Sequence, residues 1–325
     1  MKGIIPVAGI GSRLRPHTHT TPKALMHVAG KPILGYILDE LVALGVQEVT
    51  LIIGNMGQKI IDYVNTQYAF NAHYVVQHET CGIAHAIHLG REHFDDEPVL
   101  IILGDTIFNS DFSHLRAHSN LSAIGVKPMQ GDIRRFGVVE VEDNRVVRLV
   151  EKPEHPRSNL VIAGVYYIAC TPVFAQCLDD LIRTGRTTRG EYQLTDALQL
   201  MVERDEPLIT FTVDEWYDCG KPETLLETNR RLLELRATPR RIDGSIILPP
   251  VSIADDAQIM ASVIGPFVSI AGGAIVQHSV ISNSIISEGA TVQDCLLEGS
   301  LIGDRAVVKG SYLHLNVGDS SEVSF

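Results

Sequence analysis

Cysteine is scarce and unpatterned in this chain of 325 residues. Cys81, Cys170, Cys177, Cys219 and Cys295 are scattered, odd in number and without CxxC spacing. That excludes a disulfide framework and a thiolate zinc site, and points to reduced thiols in a cytoplasmic protein. Positive charge is also in short supply. There are 27 Lys and Arg against 39 Asp and Glu, for a net charge of −12 with His neutral. Binding to nucleic acid or to an anionic membrane needs a basic face, so neither partner is expected. No apolar run approaches the roughly 20 residues of a membrane span. No leader precedes the first apolar segment, so no signal peptide is expected. Histidine is plentiful, but His17, His19, His27, His73, His78, His85 and His88 keep no metal-ligand spacing. They read as neutral or surface residues.

What is present is a chain with 45% hydrophobic residues, long enough for one large domain and a smaller one. Its opening carries the densest signal. The apolar run Ile4–Ala8 meets Gly9-Ile10-Gly11-Ser12-Arg13-Leu14-Arg15-Pro16, followed by Thr21-Pro22-Lys23-Ala24-Leu25. A buried strand therefore enters a glycine loop flanked by two cations. Glycines let the backbone approach a ligand and turn N–H groups toward an anion. Arg13 and Lys23 add charge on either side, which suits a nucleoside triphosphate. The P-loop is excluded, because Gly11 is followed by Ser-Arg-Leu rather than Lys-Ser/Thr. The dinucleotide fingerprint is excluded, because Leu14 stands where its third glycine belongs. A surface turn with two solvated cations is the alternative.

Downstream, strands and helices alternate. Strands are expected at Lys2–Val7, Glu48–Ile53, Ala72–Gln77 and Val99–Leu103, with helices at Pro32–Leu44, Gln58–Gln67 and Gly82–His93. This alternation implies an α/β, Rossmann-like, mostly parallel sheet with helices on both faces and ligands beyond the carboxyl ends of the strands. Antiparallel strands are expected at Gly137–Val141, Val146–Glu151 and Ile162–Ile168. Helices are expected at Thr171–Thr184, Gln193–Arg204 and Lys221–Arg236. The organisation read from this is a domain over residues 1–236, a linker over 237–244 and a second module over 245–325. In that module Ile-x-x-x-Ala recurs at Ile253/Ala257, Ile270/Ala274, Ile286/Ala290 and Ile302/Ala306, at intervals of 17, 16 and 16 residues. A short fixed period of β-branched residues and tight turns predicts a solenoid resembling a left-handed parallel β-helix. Chance spacing of common residues is the alternative. Stacked coils present flat faces, so a homo-oligomer is expected.

Four further segments carry candidate chemistry. Asp105 follows the apolar run Val99–Leu103, where a carboxylate can hold Mg²⁺ against phosphates or cap a following turn. Asp218 in Trp216-Tyr217-Asp218-Cys219-Gly220-Lys221-Pro222-Glu223 precedes an expected helix and has the same two readings. Lys152, in Glu151-Lys152-Pro153, is a compact charge suited to a sugar phosphate. Gln77 ends the strand Ala72–Gln77 with a carboxamide that can both donate and accept, and a solvated strand end is its plain reading.

Residues Gly9–Leu25 satisfy GxGxRLxPxTxxxPKxL at every fixed position, and this resembles the opening motif of the sugar-1-phosphate nucleotidyltransferases. The W-x-D-x-G-x-P-E segment, Glu-Lys-Pro and the Q-x-x-x-x-G-x-A-x-A segment from Gln77 to Ala86 are similar to further motifs of that family. The resemblance implies nucleotide contacts from Ala8, Gly9, Gly11, Ser12, Arg13, Gln77 and Gly82. It implies sugar-phosphate contacts from Gly137, Glu151, Lys152 and Gly164, and a Mg²⁺ cofactor held by Asp105 and Asp218. Arg13, Lys23, Asp105, Lys152 and Asp218 are the implied catalytic set, with a nucleoside triphosphate and a hexose 1-phosphate as substrates. Arg189–Asp196 resembles R-G-E-x-x-[IL]-T-D, without an assigned role. Val317–Val323 and the β-helix resemble the ending of long-form glucose-1-phosphate thymidylyltransferases. The family often has Gln where Ala24 stands and Asn where Thr106 stands, which leaves dTTP or UTP, and the hexose, open. A sugar-nucleotide sensor without turnover is the reading from another class. The presence of all five catalytic positions counts against it. A β-helix that transfers acyl groups is also disfavoured, since His278 and His314 lie in no such motif.

Overall fold

The computed structural model describes residues 1–109, 112, 120–236 and 240–311. The chain divides into two compact units. The first is Met1–Met26 with Lys31–Leu225, and the second is His27–Gly30 with Leu226–Phe325.

The elements run β1 (Lys2–Pro6), β2 (His27–Val28), β3 (Lys31–Pro32), α1 (Ile33–Ala43), β4 (Glu48–Ile53), α2 (Gly57–Gln67), β5 (Asn71–Val76), α3 (Ile83–Leu89), β6 (Val99–Ile102) and β7 (Thr106–Asn109). Then come β8 (Ser122–Pro128), β9 (Gly137–Glu142), β10 (Arg145–Glu151), β11 (Leu160–Ile168), α4 (Thr171–Thr184), α5 (Leu194–Glu203), β12 (Leu208–Thr212), β13 (Glu215–Asp218) and α6 (Pro222–Arg236). The expected helix from Gly82 to His93 stops at Leu89. Gly90 caps it, and a single 3₁₀ turn covers Arg91–His93.

One sheet of nine strands organises the first unit. It runs β10-β9-β11-β6-β1-β4-β5, with β8 also on β11 and β12 on β8. The β6-β1-β4-β5 part is parallel. β11 is antiparallel to both β6 and β8, so the sheet is mixed, and Rossmann-like in its parallel part. Period-two alternation explains why the core has two halves. Ile4, Ile101 and Tyr166 face a cluster with Ile87, Phe174 and Leu198 from α3, α4 and α5. Their neighbours Ile5, Ile102 and Val165 face a cluster with Leu34, Ile37, Leu38 and Leu41 of α1 and Ile60 and Val64 of α2. A strand buried on both faces has no polar positions, which is why these segments read as continuous apolar runs. No helix among the described residues is long and apolar enough to cross a membrane.

The second unit is a series of short parallel strands in three sheets, the arrangement of a left-handed β-helix. The Ile column predicted from the repeat is the pairing register itself: Ile253 sits beside Ile270, Ile270 beside Ile286, and Ile286 beside Ile302. Ala274 and Ala290 are fully buried, since a coil this narrow has no interior room for more. A ladder of hydroxyls, which the Ile-x-x-x-Ala repeat does not reveal, runs along one corner. Ser245 Oγ accepts from the Ser262 amide, Ser262 Oγ from Ser279, and Ser279 Oγ from Cys295, at 3.2, 3.1 and 3.1 Å. Each side chain satisfies a backbone donor one coil on, where the strand ladder has turned the corner. The ending Val317–Val323 and His314 lie outside the described residues.

Asn229 is the polar centre of this unit and is fully buried. Its Oδ1 accepts from the Ala29 amide at 2.9 Å and from Ser269 Oγ at 2.6 Å, and its Nδ2 donates to Phe267 O at 3.2 Å. Asn229→Ala orphans an amide, a hydroxyl and a carbonyl together. It is expected to cost about 2–4 kcal/mol. Urea unfolding followed on that unit's transition checks this; a loss below about 0.5 kcal/mol would show the network to be dispensable.

Candidate active site

Three strands of the parallel β6-β1-β4-β5 part of the sheet deliver their carboxyl ends to one edge. β1 ends in the loop Val7–Ser12, β5 ends at Gln77, and β6 ends at Leu103-Gly104-Asp105. They surround a cavity of about 410 Å³, lined by Ala8, Gly9, Gly11, Ser12, Arg13, Lys23, Gln77, Gly82 and Asp105 among others. Nine of the predicted site residues, separated by up to about a hundred positions, thus share one wall.

Gly11 sits at φ +65, and a Cβ there would stand 3.0 Å from Thr18 Cγ2 and 3.1 Å from Lys23 Cβ. Thr18 Oγ1 donates to Gly11 O at 2.8 Å and closes the loop. Gly9 is different, since a Cβ there meets nothing within 4 Å. Its side of the loop opens on the cavity.

Lys23 Nζ lies 2.7 Å from Asp105 Oδ2, with the lysine side chain 11% exposed and the aspartate 40%. An ammonium taken this far out of water needs a partner, and Asp105 supplies it. Asp105 lies in a turn closed by the Thr106 amide on Leu103 O at 3.4 Å, and strand β7 follows it. β7 and β13, neither expected from the sequence, bring the second carboxylate close. Thr106 pairs with Asp218 across this ribbon, and the Cys219 amide donates to Asp105 O at 3.1 Å. Asp218 Oδ1 accepts from the Gly220 amide at 2.9 Å. It therefore closes its own turn, and α6 begins only at Pro222. A Cβ at Gly220 would stand 2.8 Å from Asp218 Oδ1 and 3.2 Å from Arg13 Nη2, so both groups converge on that glycine.

No cluster of three or more His, Cys, Asp or Glu able to hold a metal occurs among the described residues. Two carboxylates, one in the turn before β7 and one at the end of β13, still fit Mg²⁺, which binds through one or two carboxylates and completes its shell with water and substrate phosphate.

The sugar-phosphate candidates form a second group. Glu151 lies opposite Gly137 in the β9–β10 pair. Glu151 Oε2 accepts from Thr195 Oγ1 at 2.7 Å, and Glu151 Oε1 lies 3.1 Å from Lys152 Nζ. A Cβ at Gly137 would come within 3.1 Å of that carboxylate and 3.2 Å of the Thr195 hydroxyl, so Gly137 makes room for the contact. Lys152 occupies the left-handed region at φ +46. Its amide donates to Phe136 O at 3.1 Å, and its carbonyl accepts from Arg189 Nη2 at 3.0 Å. These two hydrogen bonds to its backbone hold the lysine in that sparsely populated conformation. Gly164, at φ +87 on a bulge of β11, accepts from the Leu103 amide at 2.9 Å. Burial, with the Glu151 and Asp105 charges adding to it, pushes the Tyr166 phenol well above its ordinary range, so it stays protonated.

The segment Arg189–Asp196 acquires its role here. Glu191 lines the cavity, and Thr195 holds Glu151. The Tyr192 backbone receives the chain around Gly82: Tyr192 N donates to Cys81 O at 2.8 Å, and Ala84 N donates to Tyr192 O at 3.0 Å. Burial raises the Asp196 carboxyl above its usual range. The motif pointed to this segment, but long-range pairings that no local pattern carries set its partners.

A Rossmann-like sheet with a cation-flanked glycine loop beside paired carboxylates is the architecture of a nucleotide-binding transferase. The chain belongs to the Nucleotidyl transferase family, whose model matches residues 2–234. It is similar to a low-salt glycan biosynthesis nucleotidyltransferase of Haloferax volcanii, 33% identical over 265 residues that cover 76% of this chain and 72% of the relative. A glucose-1-phosphate thymidylyltransferase of Streptomyces antibioticus is 30% identical over 332 residues, covering 98% of this chain and 86% of its own. The crystal structure of a UDP-glucose pyrophosphorylase complexed with UDP-glucose superposes with a TM-score of 0.64 at 26% identity, over 72% of this chain and 99% of that one.

Proposed function

We propose that this protein is a sugar-1-phosphate nucleotidyltransferase. It joins a pyrimidine nucleoside triphosphate, dTTP or UTP, to a hexose 1-phosphate, best glucose 1-phosphate, and releases pyrophosphate. One observation carries the reading: the glycine loop, Arg13, Lys23, Gln77 and Asp105 converge on a single cavity at the carboxyl edge of the sheet. The names of the relatives agree with this choice of substrates.

In the proposed reaction a phosphate oxygen of the sugar phosphate attacks the α-phosphorus. The bond from that phosphorus to the bridging oxygen of the β-phosphate breaks, and pyrophosphate leaves. A phosphate monoester is already a nucleophile, so catalysis consists of positioning and charge neutralisation. Arg13 and the loop amides neutralise the departing pyrophosphate. Lys23 exchanges its contact with Asp105 for a phosphate oxygen. Lys152 orients the sugar phosphate, with Glu151 and the Gly137 and Gly164 backbone at the sugar. Asp105 and Asp218 would hold Mg²⁺, which would supply positive charge to the α-phosphate. Residues 1–236 form the proposed catalytic domain, joined by 237–244 to the β-helix domain at 245–325, whose flat faces assemble copies of the chain. A cytoplasmic location accords with five free thiols.

The test is pyrophosphate release by the purified protein with Mg²⁺ and glucose 1-phosphate, offering dTTP, UTP, CTP, ATP and GTP in turn. Release with dTTP or UTP is expected. Silence with all five, repeated across a panel of sugar 1-phosphates, would overturn the reading in favour of a binding protein.

A further inference from the structure

We propose that His85 sets the base preference of this site by fixing the polarity of the Gln77 carboxamide. The pocket then accepts bases with an N–H donor on their pairing edge, uracil and thymine, and rejects cytosine. The inference rests on the nucleoside triphosphate reading above, and makes His85 a positioning residue for it.

Gln77 follows β5, is 5% exposed and lines the cavity. Its Nε2 lies 3.3 Å from Gly82 O and 3.0 Å from His85 Nδ1. A carbonyl oxygen only accepts, so the terminal atom beside Gly82 must be the amide nitrogen. That nitrogen has two hydrogens. One serves Gly82 O, and the other points to His85 Nδ1, which must then offer its lone pair and leave the ring proton on Nε2. Both donors of the carboxamide are consumed inside the protein. None of the described residues donates to Gln77 Oε1, so what the side chain has left for a ligand is an acceptor.

An acceptor reads pyrimidines by the polarity of ring position 3. Uracil and thymine carry N3–H there and can donate to Oε1. Cytosine carries a lone pair there, which would face another lone pair at a buried position. The 5-methyl group lies away from this edge, so the pair treats uracil and thymine alike. Gly82 O alone holds the amide at the long end of hydrogen-bond distance; His85 makes the shorter contact and locks the orientation. The imidazole is held in turn. Its ring lies against Tyr192 at 6.4 Å between centroids with 30° between the planes, and the Tyr192 backbone bonds on both sides of Gly82. The Arg189–Asp196 segment thereby reaches the base through His85.

Titration calorimetry of the full-length protein with the Mg²⁺ complexes of UTP, dTTP and CTP tests this. Wild type is expected to bind UTP and dTTP at least about tenfold more tightly than CTP, the value of a hydrogen bond against an unmet buried group. His85→Leu removes the acceptor, and the UTP-to-CTP ratio should fall about tenfold. His85→Asn restores an acceptor at the same distance from the backbone as Nδ1, and should recover most of the ratio. A general loosening of the fold would lower both affinities together and leave the ratio in place. Equal binding of UTP and CTP by wild type, no binding of either, or an unchanged ratio in His85→Leu would overturn the proposal. Base discrimination without pyrophosphate release from any sugar phosphate would overturn the proposed reaction and sustain this inference.

Discussion

Asp105→Asn is expected to lower turnover at least about a hundredfold while leaving the fold intact. The substitution is isosteric, and the backbone carbonyl that receives the Cys219 amide at 3.1 Å is untouched. Only charge is removed, and it serves two partners. Lys23 Nζ, 2.7 Å away on a side chain 11% exposed, loses its counter-ion. The proposed cation site loses one of two carboxylates, leaving Asp218 alone. Pyrophosphate release measured across a Mg²⁺ titration checks this, beside a thermal melt that monitors folding. Retention of more than about a tenth of the activity would remove Asp105 from the machinery. Lys23→Ala should fail to a similar degree. Because the two side chains act as a unit, the double variant should be little slower than either single one.

Gly82→Ala should be the most damaging single methyl in the first unit. Gly82 sits at φ +110, and a Cβ there would stand 2.4 Å from Tyr192 O and 2.8 Å from Tyr192 N. Both obstacles are backbone, fixed by the hydrogen bonds to Cys81 and Ala84. The chain must open between α3 and the Tyr192 segment, and Gly82 O then leaves Gln77. A loss of about 2–4 kcal/mol is expected, with weakened nucleotide binding. Gly131→Ala is the control, since Gly131 has φ +89 but a Cβ would meet nothing within 4 Å. It isolates conformational strain, about 1 kcal/mol, from the clash. Urea unfolding of both variants decides the matter. Equal losses would mean that the Tyr192 contact contributes nothing.

The two predictions show why part of the site could be read in one dimension. Gly9–Leu25 carries its loop, its cations and its turn residues within one short stretch, so local pattern and local structure coincide. The Ile column of the β-helix was equally legible, because a coil repeats its environment at fixed chain distance. Asp105 reads from the sequence as a metal ligand or the cap of a turn, and Asp218 as a metal ligand or a helix cap. What brings the two segments side by side is the β7–β13 ribbon, two short strands far apart in sequence. Gln77 likewise looked like a possible solvated strand end, and burial to 5% exposure excludes that. His85 is one of thirteen histidines and keeps no spacing that distinguishes it in the sequence. Its importance comes from a side-chain contact eight residues away, across a turn that needs a positive φ.

The sequence by itself determined the class of site: a strand entering a glycine loop, a pair of cations at fixed spacing, and a repeat that must stack. Such features arise from chain-local geometry, where residue order and spatial order agree. Only the tertiary structure decided which carboxylates share an edge, that Thr195 holds Glu151, and that the Gln77 amide nitrogen meets Gly82 O and His85 Nδ1. Those facts depend on register between strands that are distant in the chain, and register follows from how two apolar faces pack around one sheet.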